Sequence, residues 1–410
     1  MVFGAASACN YSYQAAPNNH QQNHQVKHQH NAPPIAPNNN TTAPPVVQNN
    51  TTVIPPPVNI TANNSTNPPV VNNSTVTPPP IVVNNSTVPP VTGTTVNNGQ
   101  NLQTIINNAA TGSNIIVNAG SYGSITITKD INLFANGLVK LTGLTISNTA
   151  ALVQGFSISG DYAVTLTNTN GVQLLYNTIT SNLDGISGIN TNTNLLINGN
   201  NFIGTNPFIG NNLDLNGPIT NALIENNNMT GAEYGLLFDS TTSANDIIKN
   251  NYIYGAYSQS NPYDSLVHTG TGIYFVVGAK NIQILNNIIV NSRDSIAVDN
   301  EFNPGGLIST GFTITGNTVT QSFDGIWATI SNSLINNNNL SGETEGIDIT
   351  GGGNTIQNNI VENNSIVGIA LTTTKNTDIN TLIGNLVSNN GVNTGGGNYY
   401  NSGPGKVIGE

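Results

Sequence analysis

A short motif recurs nine times between about residues 170 and 385. Each copy reads apolar-x-x-Asn-x-apolar, followed after a gap by Gly-Ile-x-apolar, as in TITGNTV with DGIW. A period in the twenties is typical of a solenoid, in which each unit buries its apolar face only against its neighbours. The aligned asparagines are spaced by 24, 26, 24, 36, 30, 21, 21 and 26 residues: Asn177, Asn201, Asn227, Asn251, Asn287, Asn317, Asn338, Asn359 and Asn385.

The apolar residues within a copy alternate, as in Ile347-Asp348-Ile349, and this is the period of a strand. Leucine-rich repeats share the repeat length, but their Leu-x-x-Leu-x-Leu pattern and following helix are missing here. Three short strands per turn fit a parallel β-helix, and asparagine suits its tight turns because it tolerates left-handed backbone angles. About 300 residues of repeats predict roughly twelve rungs with one continuous core.

The segment before the repeats has its own pattern. Residues 99–133 predict a short helix from about Leu102 to Ala109, a turn at Gly112, a strand at Ile115-Ile116-Val117 and an Ala-Gly-x-Tyr element ending at Tyr122. This order resembles the opening of pectin-lyase-like right-handed β-helix proteins, and the later copies resemble that superfamily's generic and carbohydrate-binding repeats.

The resemblance covers roughly residues 98–390. It implies an all-β fold, a right-handed single-stranded parallel β-helix capped by a short N-terminal helix. It does not imply one activity, because the superfamily contains lyases, hydrolases, esterases, epimerases, adhesins and phage tailspikes.

The chain divides by composition into three parts. Residues 1–97 are rich in Pro, Asn and Thr and predict an extended stalk or linker without a core. Residues 98–396 predict the β-helix, and residues 397–410 a C-terminal tail. The first part carries Asn-x-Ser/Thr sequons that could hold N-glycans in a secreted protein, at Asn59, Asn64, Asn73 and Asn85.

Charge is scarce in this chain. Charged residues make up only 7% of it, and the net charge is −11. This balance argues against nucleic acid or an anionic membrane surface as a partner. A surface of Asn, Thr, Ser and Gly changes little with pH or salt, so we expect an extracellular protein on a cell or virion surface. The single cysteine, Cys9, excludes an internal disulfide.

The two longest spacings between repeats locate two insertions. Residues 255–270 precede the strand that begins at Gly272, and residues 299–311 follow the strand that ends at Val298. The insertions come from neighbouring rungs and flank the Gly-Ile-x-apolar strand from opposite sides. They therefore predict a walled cleft over this strand.

Rare residues gather on these rungs. Arg293 and Trp327 are the only Arg and Trp of the chain, and His268 is the only His of the folded part. Strand alternation directs the residue after each Ile outward, which gives the column Ser187, Leu237, Tyr274, Ala297, Trp327, Asp348 and Ala370. Tyr274 and Trp327 are expected to form an exposed platform for stacking on a sugar ring, with Asp348 and Tyr263 as further ligand contacts; the alternative is that these aromatics merely cover the sheet.

A column of carboxylates runs beside the outward column. Asp184, Asp294, Asp324 and Glu345 each stand seven residues after an aligned asparagine, and the last three fall on consecutive rungs. Such close like charges should raise at least one pKa. Three interpretations remain open. They are a catalytic pair, Asp294 and Asp324, helped by Glu345, Arg293 and His268; a calcium site formed by Asp294, Asp324 and Glu345; or turn residues without a ligand.

The sequence favours a non-catalytic surface solenoid that presents a glycan-binding groove on a stalk, in the manner of an adhesin or fibre. The motif sets of polygalacturonases, pectate lyases, pectin methylesterases and alginate epimerases are incomplete or absent. The alternatives are a polysaccharide lyase or glycoside hydrolase acting in the same groove, and a purely structural spacer. No cofactor is expected apart from calcium. The resemblance to tailspikes, which often trimerise, implies a homotrimer or another homo-oligomer as a candidate assembly, although the sequence itself does not give the oligomeric state.

Overall fold

The protein is a right-handed parallel β-helix of about 12 turns, as the repeats predict. The computed structural model describes residues 91–239, 242–255, 270–276, 278–299, 308–391 and 397–409. All strand pairs are parallel, and 35 strands join into one continuous sheet. The predicted stalk with its sequons, and most of both insertions, lie outside the described residues.

Each rung contributes strands to three faces, which we call A, B and C in chain order. Face A contains fourteen strands: Thr94–Val96, Ser113–Ser121, Ile131–Leu141, Ala151–Gln154, Gln173–Leu175, Leu196–Asn198, Leu223–Glu225, Ile247–Lys249, Gln283–Leu285, Thr313–Thr315, Leu334–Asn336, Thr355–Gln357, Ile379–Ile383 and Lys406–Ile408.

Face B begins with the ends of two face A strands, Ser113–Ser121 and Ile131–Leu141. Two long strands follow that bend round the corner into face C, Ser157–Thr167 and Thr178–Ile189. It continues with Asn201–Gly204, Asn228–Thr230, Tyr252–Tyr254, Ile288–Val290, Thr318–Thr320, Asn339–Ser341, Ile360–Glu362 and Leu386–Ser388.

Face C holds the Gly-Ile-x-apolar strands. Besides the two shared strands it contains Ile125–Ile127, Leu144–Ser147, Asn211–Asn216, Tyr234–Phe238, Ile273–Phe275, Asp294–Val298, Asp324–Ser331, Glu345–Thr350, Val367–Thr372 and Gly397–Ser402. Short strands at the corner between faces C and A complete the set: Asn192–Thr193, Ile219–Thr220 and Ser309–Thr310.

The core is a stack of aliphatic columns, one behind each face. The isoleucines expected to form a column behind face C are in direct register from rung to rung and fully buried, which confirms that prediction: Ile186, Ile273, Ile296, Ile326, Ile347 and Ile369. Leu213 and Leu236 fill the two rungs between Ile186 and Ile273. Because every rung rests on its neighbours, the core is continuous along the axis.

A ladder of buried asparagines fixes the corner between faces A and B. The backbone N and Nδ2 of Asn287 both donate to Oδ1 of Asn317, at 2.9 and 3.0 Å, and Asn287 Nδ2 also donates to the Ile248 carbonyl at 3.0 Å. The same pattern links all nine rungs. One assignment was wrong, because Asn200 and not Asn201 occupies the second rung of the ladder.

The residue before each ladder asparagine adopts left-handed backbone angles. Asn286 has φ 53° and Gly199 has φ 68°. Asparagine and glycine reach this region at low cost. Tyr176, with φ 53°, is the exception at the first rung. The spacing across this corner is constant, with five positions from Ile224 of face A to Met229 of face B as in every other ladder rung.

The structure at the two ends of the solenoid confirms the predicted helix and corrects the predicted tail. The helix, which we call α1, spans Leu102–Asn108 at the N-terminal end and buries Leu102 and Ile106, as expected. The segment 397–410 is not a simple tail, because Gly397–Ser402 pairs with Val367–Thr372 and Lys406–Ile408 pairs with Ile379–Thr381. Its Gly-rich composition concealed two further strands. The described part of the chain has no helix long and apolar enough to cross a membrane.

Candidate functional site

The outward column of face C has the predicted register. Tyr274, Ala297 and Trp327 stand on three successive rungs, and Trp327 is followed by Asp348 and Ala370. Sequence reasoning missed Asp214 within this column and Tyr400 at its end, in register with Ala370. Asp214 lies between Ser187 and Leu237, on the strand NNLDLN, which lacks the Gly-Ile signature of the other copies.

Two aromatics of this column remain open to solvent, Trp327 in its middle and Tyr400 after Ala370. The Trp327 side chain is half-buried, and the rung before it carries the small, buried Ala297. The next rung places Asp348 directly in register with it. An indole face beside a carboxyl group is a combination that can stack on a sugar ring and bond to its hydroxyls.

The expectation of an exposed Tyr274 is wrong. Its side chain is only 5% exposed, and its ring stacks on Tyr234 of the preceding rung with centroids 5.8 Å apart and an interplanar angle of 13°. Its Oη donates to Oδ2 of Asp299 at 3.2 Å. Burial and the Asp299 carboxylate raise the pKa of Tyr274 well above its usual value. Tyr274 is therefore packed among its neighbours, and it does not form an exposed platform with Trp327.

The carboxylate column lies at the start of the same strands. Asp294, Asp324 and Glu345 are in direct register on three consecutive rungs, as the spacing predicts. All three are largely buried, with Asp294 2% and Asp324 7% exposed. The Asp324 backbone N donates to the Arg293 carbonyl at 2.7 Å, so Arg293 is held beside the column. Asp184 stands at the equivalent position several rungs earlier and pairs with Asn211.

Burial controls the protonation of this column. It raises the pKa of Asp324 well above the usual range, and the carboxylates of Asp294, Glu345 and Asp348 add to the rise while the Arg293 guanidinium opposes it. Burial, with a contribution from Asp348, raises the pKa of Glu345 from 4.5 to about 7. Burial therefore favours the protonated form of Asp324, and Glu345 changes charge near neutrality.

Asp324 keeps an unused polar atom. Its Oδ1 is buried and has no hydrogen-bond partner among the described residues. The described side chains contain no group of three or more His, Cys, Asp or Glu arranged to hold a metal ion. Burial favours the protonated forms of Asp324 and Glu345, whereas calcium takes ionised carboxylates.

A second acidic pair occupies the N-terminal part of face C. Asn211 Nδ2 donates to Oδ1 of Asp184 at 3.0 Å, and Asp214 lies on the outward column of the following rung. Burial raises the pKa of Asp184 to about 6, and burial together with the Asp184 and Asp239 charges raises that of Asp214 to about 7. Asp324 and Asp348 show the same offset, one at the strand start and one outward on the next rung.

Two predicted site residues, Tyr263 and His268, lie outside the described residues. The described ends of the insertions are anchored on the sheet. Gly255 N donates to the Val290 carbonyl at 2.9 Å, and Asp299 N donates to the Phe275 carbonyl at 2.9 Å. Both insertions thus start from rungs that carry Tyr274 and Asp294, as the sequence predicts.

No protein-family model matches the chain, and no curated protein matches it either. Solved structures with the same kind of fold match at low identity. The periplasmic alginate epimerase AlgG is 13% identical, with a TM-score of 0.40 over 77% of this chain and 84% of that chain. The A-module of the mannuronan C-5 epimerase AlgE4 from Azotobacter vinelandii is 14% identical, with a TM-score of 0.42 over 73% and 91%. The surface adhesin PfbA of Streptococcus pneumoniae is 11% identical, with a TM-score of 0.46 over 68% and 82%.

Proposed function

We propose that this chain is an extracellular or virion-surface β-solenoid that binds a glycan along face C. The observation that carries the proposal is the position of Trp327. The only tryptophan of the chain is partly exposed on the outward column, in register with Asp348 and beside the carboxylate column. Aromatic rings with polar neighbours are suited to ligands that have both an apolar face and many hydroxyls.

The protonation of the groove supports a sugar ligand. Burial favours the protonated forms of Asp324 and Glu345 and so lowers the negative charge beside Trp327. Glu345, the more exposed of the two at 9%, can then donate a hydrogen bond as well as accept one. Charges that remain ionised would bind a cation or a basic peptide instead. The low overall charge of the chain, 7% of residues, agrees with a partner that is recognised through hydroxyl and amide groups.

The test is binding of the full chain to a glycan array, followed by calorimetry on each hit. Trp327→Ala should abolish binding and leave the thermal midpoint nearly unchanged. Tyr254→Ala is the matched control, because Tyr254 is an exposed tyrosine on face B. If the Trp327→Ala variant still binds a hit, or if Tyr254→Ala reduces the affinity as much as Trp327→Ala does, face C is not the binding site. An array without hits favours the structural spacer.

The binding should also depend on pH. The Glu345 carboxyl can donate only while it is protonated, and its pKa is about 7. We therefore expect the affinity to weaken as the pH rises through about 7, with the steepest change near that value. Glu345→Gln keeps a donor at all pH values and should flatten this dependence.

A second candidate function is glycoside hydrolysis at Asp294 and Asp324. The observation in its favour is that these carboxyls occupy adjacent rungs, roughly 4.8 Å apart along the axis, near the separation of about 5 to 5.5 Å in retaining glycosidases. Asp324 would be the protonated acid and Asp294 the nucleophile. Their burial opposes this role, because both groups must reach the sugar. Release of reducing ends from an array hit, eliminated by Asp324→Asn with the fold intact, would establish it.

A further inference from the structure

A cleft of about 460 Å³ opens at the corner between faces C and A, and none of its lining residues belongs to the outward column of face C. It extends over four successive rungs, with Thr310 on the first, Asn332 on the second, Gly353 on the third and Ile379 on the fourth. Its volume is in the range of pockets that hold small ligands. The cleft is therefore a candidate binding site apart from the groove of face C.

Two glycines open the cleft by interrupting a ladder of asparagines at this corner. On the preceding rungs, Asn281 Nδ2 donates to Asn245 Oδ1 at 3.3 Å. The next three positions of the ladder are Gly311, Asn332 and Gly353, which keep the left-handed backbone angles, with φ 73°, 51° and 77°. Oδ1 of Asn332 lies in the space that a Cβ at Gly353 would fill. The Asn332 amide thus has no asparagine beside it on either neighbouring rung.

Polar groups of the cleft are left unused by the fold. The side-chain amide of Asn332 and the ammonium group of Lys375 have no hydrogen-bond partner among the described residues. Asp378, the one carboxylate among the described lining residues, is already engaged. Its Oδ2 accepts from the N–H groups of Thr374 and Lys375 at 2.8 Å each, and from Thr374 Oγ1 at 3.0 Å. The cleft thus offers a ligand an ammonium group, an amide donor and an amide acceptor.

Apolar side chains stand at both ends of the cleft. Ile308 is 42% exposed beside the first rung, and Ile379 is 45% exposed on the fourth. Isoleucine is among the residues most often fully buried, and here two of them flank one polar floor. A ligand that fills the cleft therefore gains from an apolar group of its own as well as from an anion and hydrogen-bonding groups.

We infer that this cleft binds an acidic acetamido sugar, which is a sugar with both a carboxylate and an N-acetyl group. The carboxylate pairs with the Lys375 ammonium, and the Asn332 amide donates to and accepts from the polar groups of the sugar. The acetamido methyl covers an exposed isoleucine. A neutral sugar leaves Lys375 without a partner, and a uronic acid brings no methyl group. The site is separate from the glycan groove of face C and does not depend on it.

The test is calorimetric titration of the full chain with N-acetylneuraminic acid as the probe. We expect saturable binding that Lys375→Met and Asn332→Gly each weaken at least about tenfold, because each removes hydrogen bonds to the sugar. Glycine suits the left-handed angle at position 332, so this variant keeps its fold. Asn337→Gly is the matched control, with φ 54° on the same rung and outside the cleft, and Lys140→Met removes an exposed lysine near the N-terminal end.

Two comparison sugars test the two halves of the recognition. N-acetylglucosamine lacks the carboxylate and galacturonic acid lacks the acetamido group, so each should bind at least about tenfold more weakly. Absence of binding by N-acetylneuraminic acid, equal binding of either comparison sugar, or binding that both cleft variants leave intact would overturn the inference. Trp327→Ala should leave this affinity unchanged. A loss in that variant would place the sugar on face C and would overturn the inference as well.

Discussion

Asp246→Asn tests how buried polar groups stabilise the solenoid. Asp246 is fully buried at the corner between faces C and A, in the column that later rungs fill with Asn354 and Asn380. Its Oδ1 accepts from the Ala222 N–H at 2.8 Å, while its Oδ2 is buried with no partner among the described residues. Burial raises its pKa from 3.8 to about 7, against the opposing hydrogen bond from Ala222.

The sign of the pH effect follows from this shift. Because the folded-state pKa is higher, the unfolded chain releases this proton first as the pH rises. Asp246 therefore has no effect on stability below about pH 4, destabilises the fold progressively up to about pH 7, and has a constant effect above. A shift of about 3 pKa units corresponds to about 4 kcal/mol of unfolding free energy at pH 8.

Asparagine in this column keeps the acceptor and cannot ionise. In Asn354, Oδ1 accepts from the Ser333 N–H at 3.1 Å and Nδ2 donates to the Ile330 carbonyl at 3.0 Å. Asp246→Asn should therefore raise the unfolding free energy by about 4 kcal/mol at pH 8 and leave it nearly unchanged at pH 4. Asn354→Asp is the reciprocal control, and it should destabilise the protein at pH 8 much more than at pH 4.

The assay is urea unfolding followed by circular dichroism at both pH values. The shift in midpoint between wild type and variant is the quantity to compare, since a solenoid can unfold in more than one step. An equal shift at pH 4 and pH 8, or none at pH 8, would refute the argument that ionisation of a buried carboxyl is what costs stability here.

Three further predictions concern the core, the ladder and the groove. Ile326→Ala should cost about 2–5 kcal/mol in urea unfolding because it empties a fully buried position; a cost below 1 kcal/mol would contradict the column. Asn317→Ala removes the acceptor of the Asn287 N–H, one of the two acceptors of Asn287 Nδ2 and a donor to the Ile284 carbonyl, and it should cost about 3 kcal/mol or more. Asn337→Gly, at φ 54°, should be nearly neutral in the same assay. Asp324→Asn should leave the glycan affinity unchanged in calorimetry. We expect no release of reducing ends from polysaccharide by either the wild type or this variant.

The columns were predictable from sequence because their register is set by one repeated apolar residue. Side chains of a strand alternate between two faces, and only one face of these strands is buried. The isoleucine of each Gly-Ile-x-apolar copy must lie on that face, so the register of the strand is fixed. The same spacing placed Asp294, Asp324 and Glu345 on consecutive rungs. The alignment failed at Gly199-Asn200-Asn201, where two asparagines compete. The glycine takes the left-handed position, so the residue directly after it enters the ladder.

Some features of the site depend on contacts between rungs and could not be predicted from the sequence. Tyr274 occupies an outward position, but Tyr234 beneath it and Asp299 beside it form a pocket that no local pattern reveals. Asp214 escaped notice because its rung departs from the consensus. Protonation depends on burial by the whole rung, so the raised pKa of Asp246 could not be read from an Asp among Asn-rich repeats.

The corner between faces A and B has the same length on every ladder rung and keeps these rungs aligned. Its ladder asparagines bond in both directions, so an added residue at any rung would break the bonds of two neighbours. The corners on either side of face C carry such bonds on some rungs only, as between Asn364 and Asn390 and between Asn354 and Asn380. The chain takes 20 positions from Ile253 to Ile273 where it takes seven from Ile289 to Ile296. On the rungs without such bonds, loops beside face C can therefore be gained or lost without disturbing the stack. A binding surface built in this way can change its specificity by altering loop lengths, while the frame that supports it stays the same.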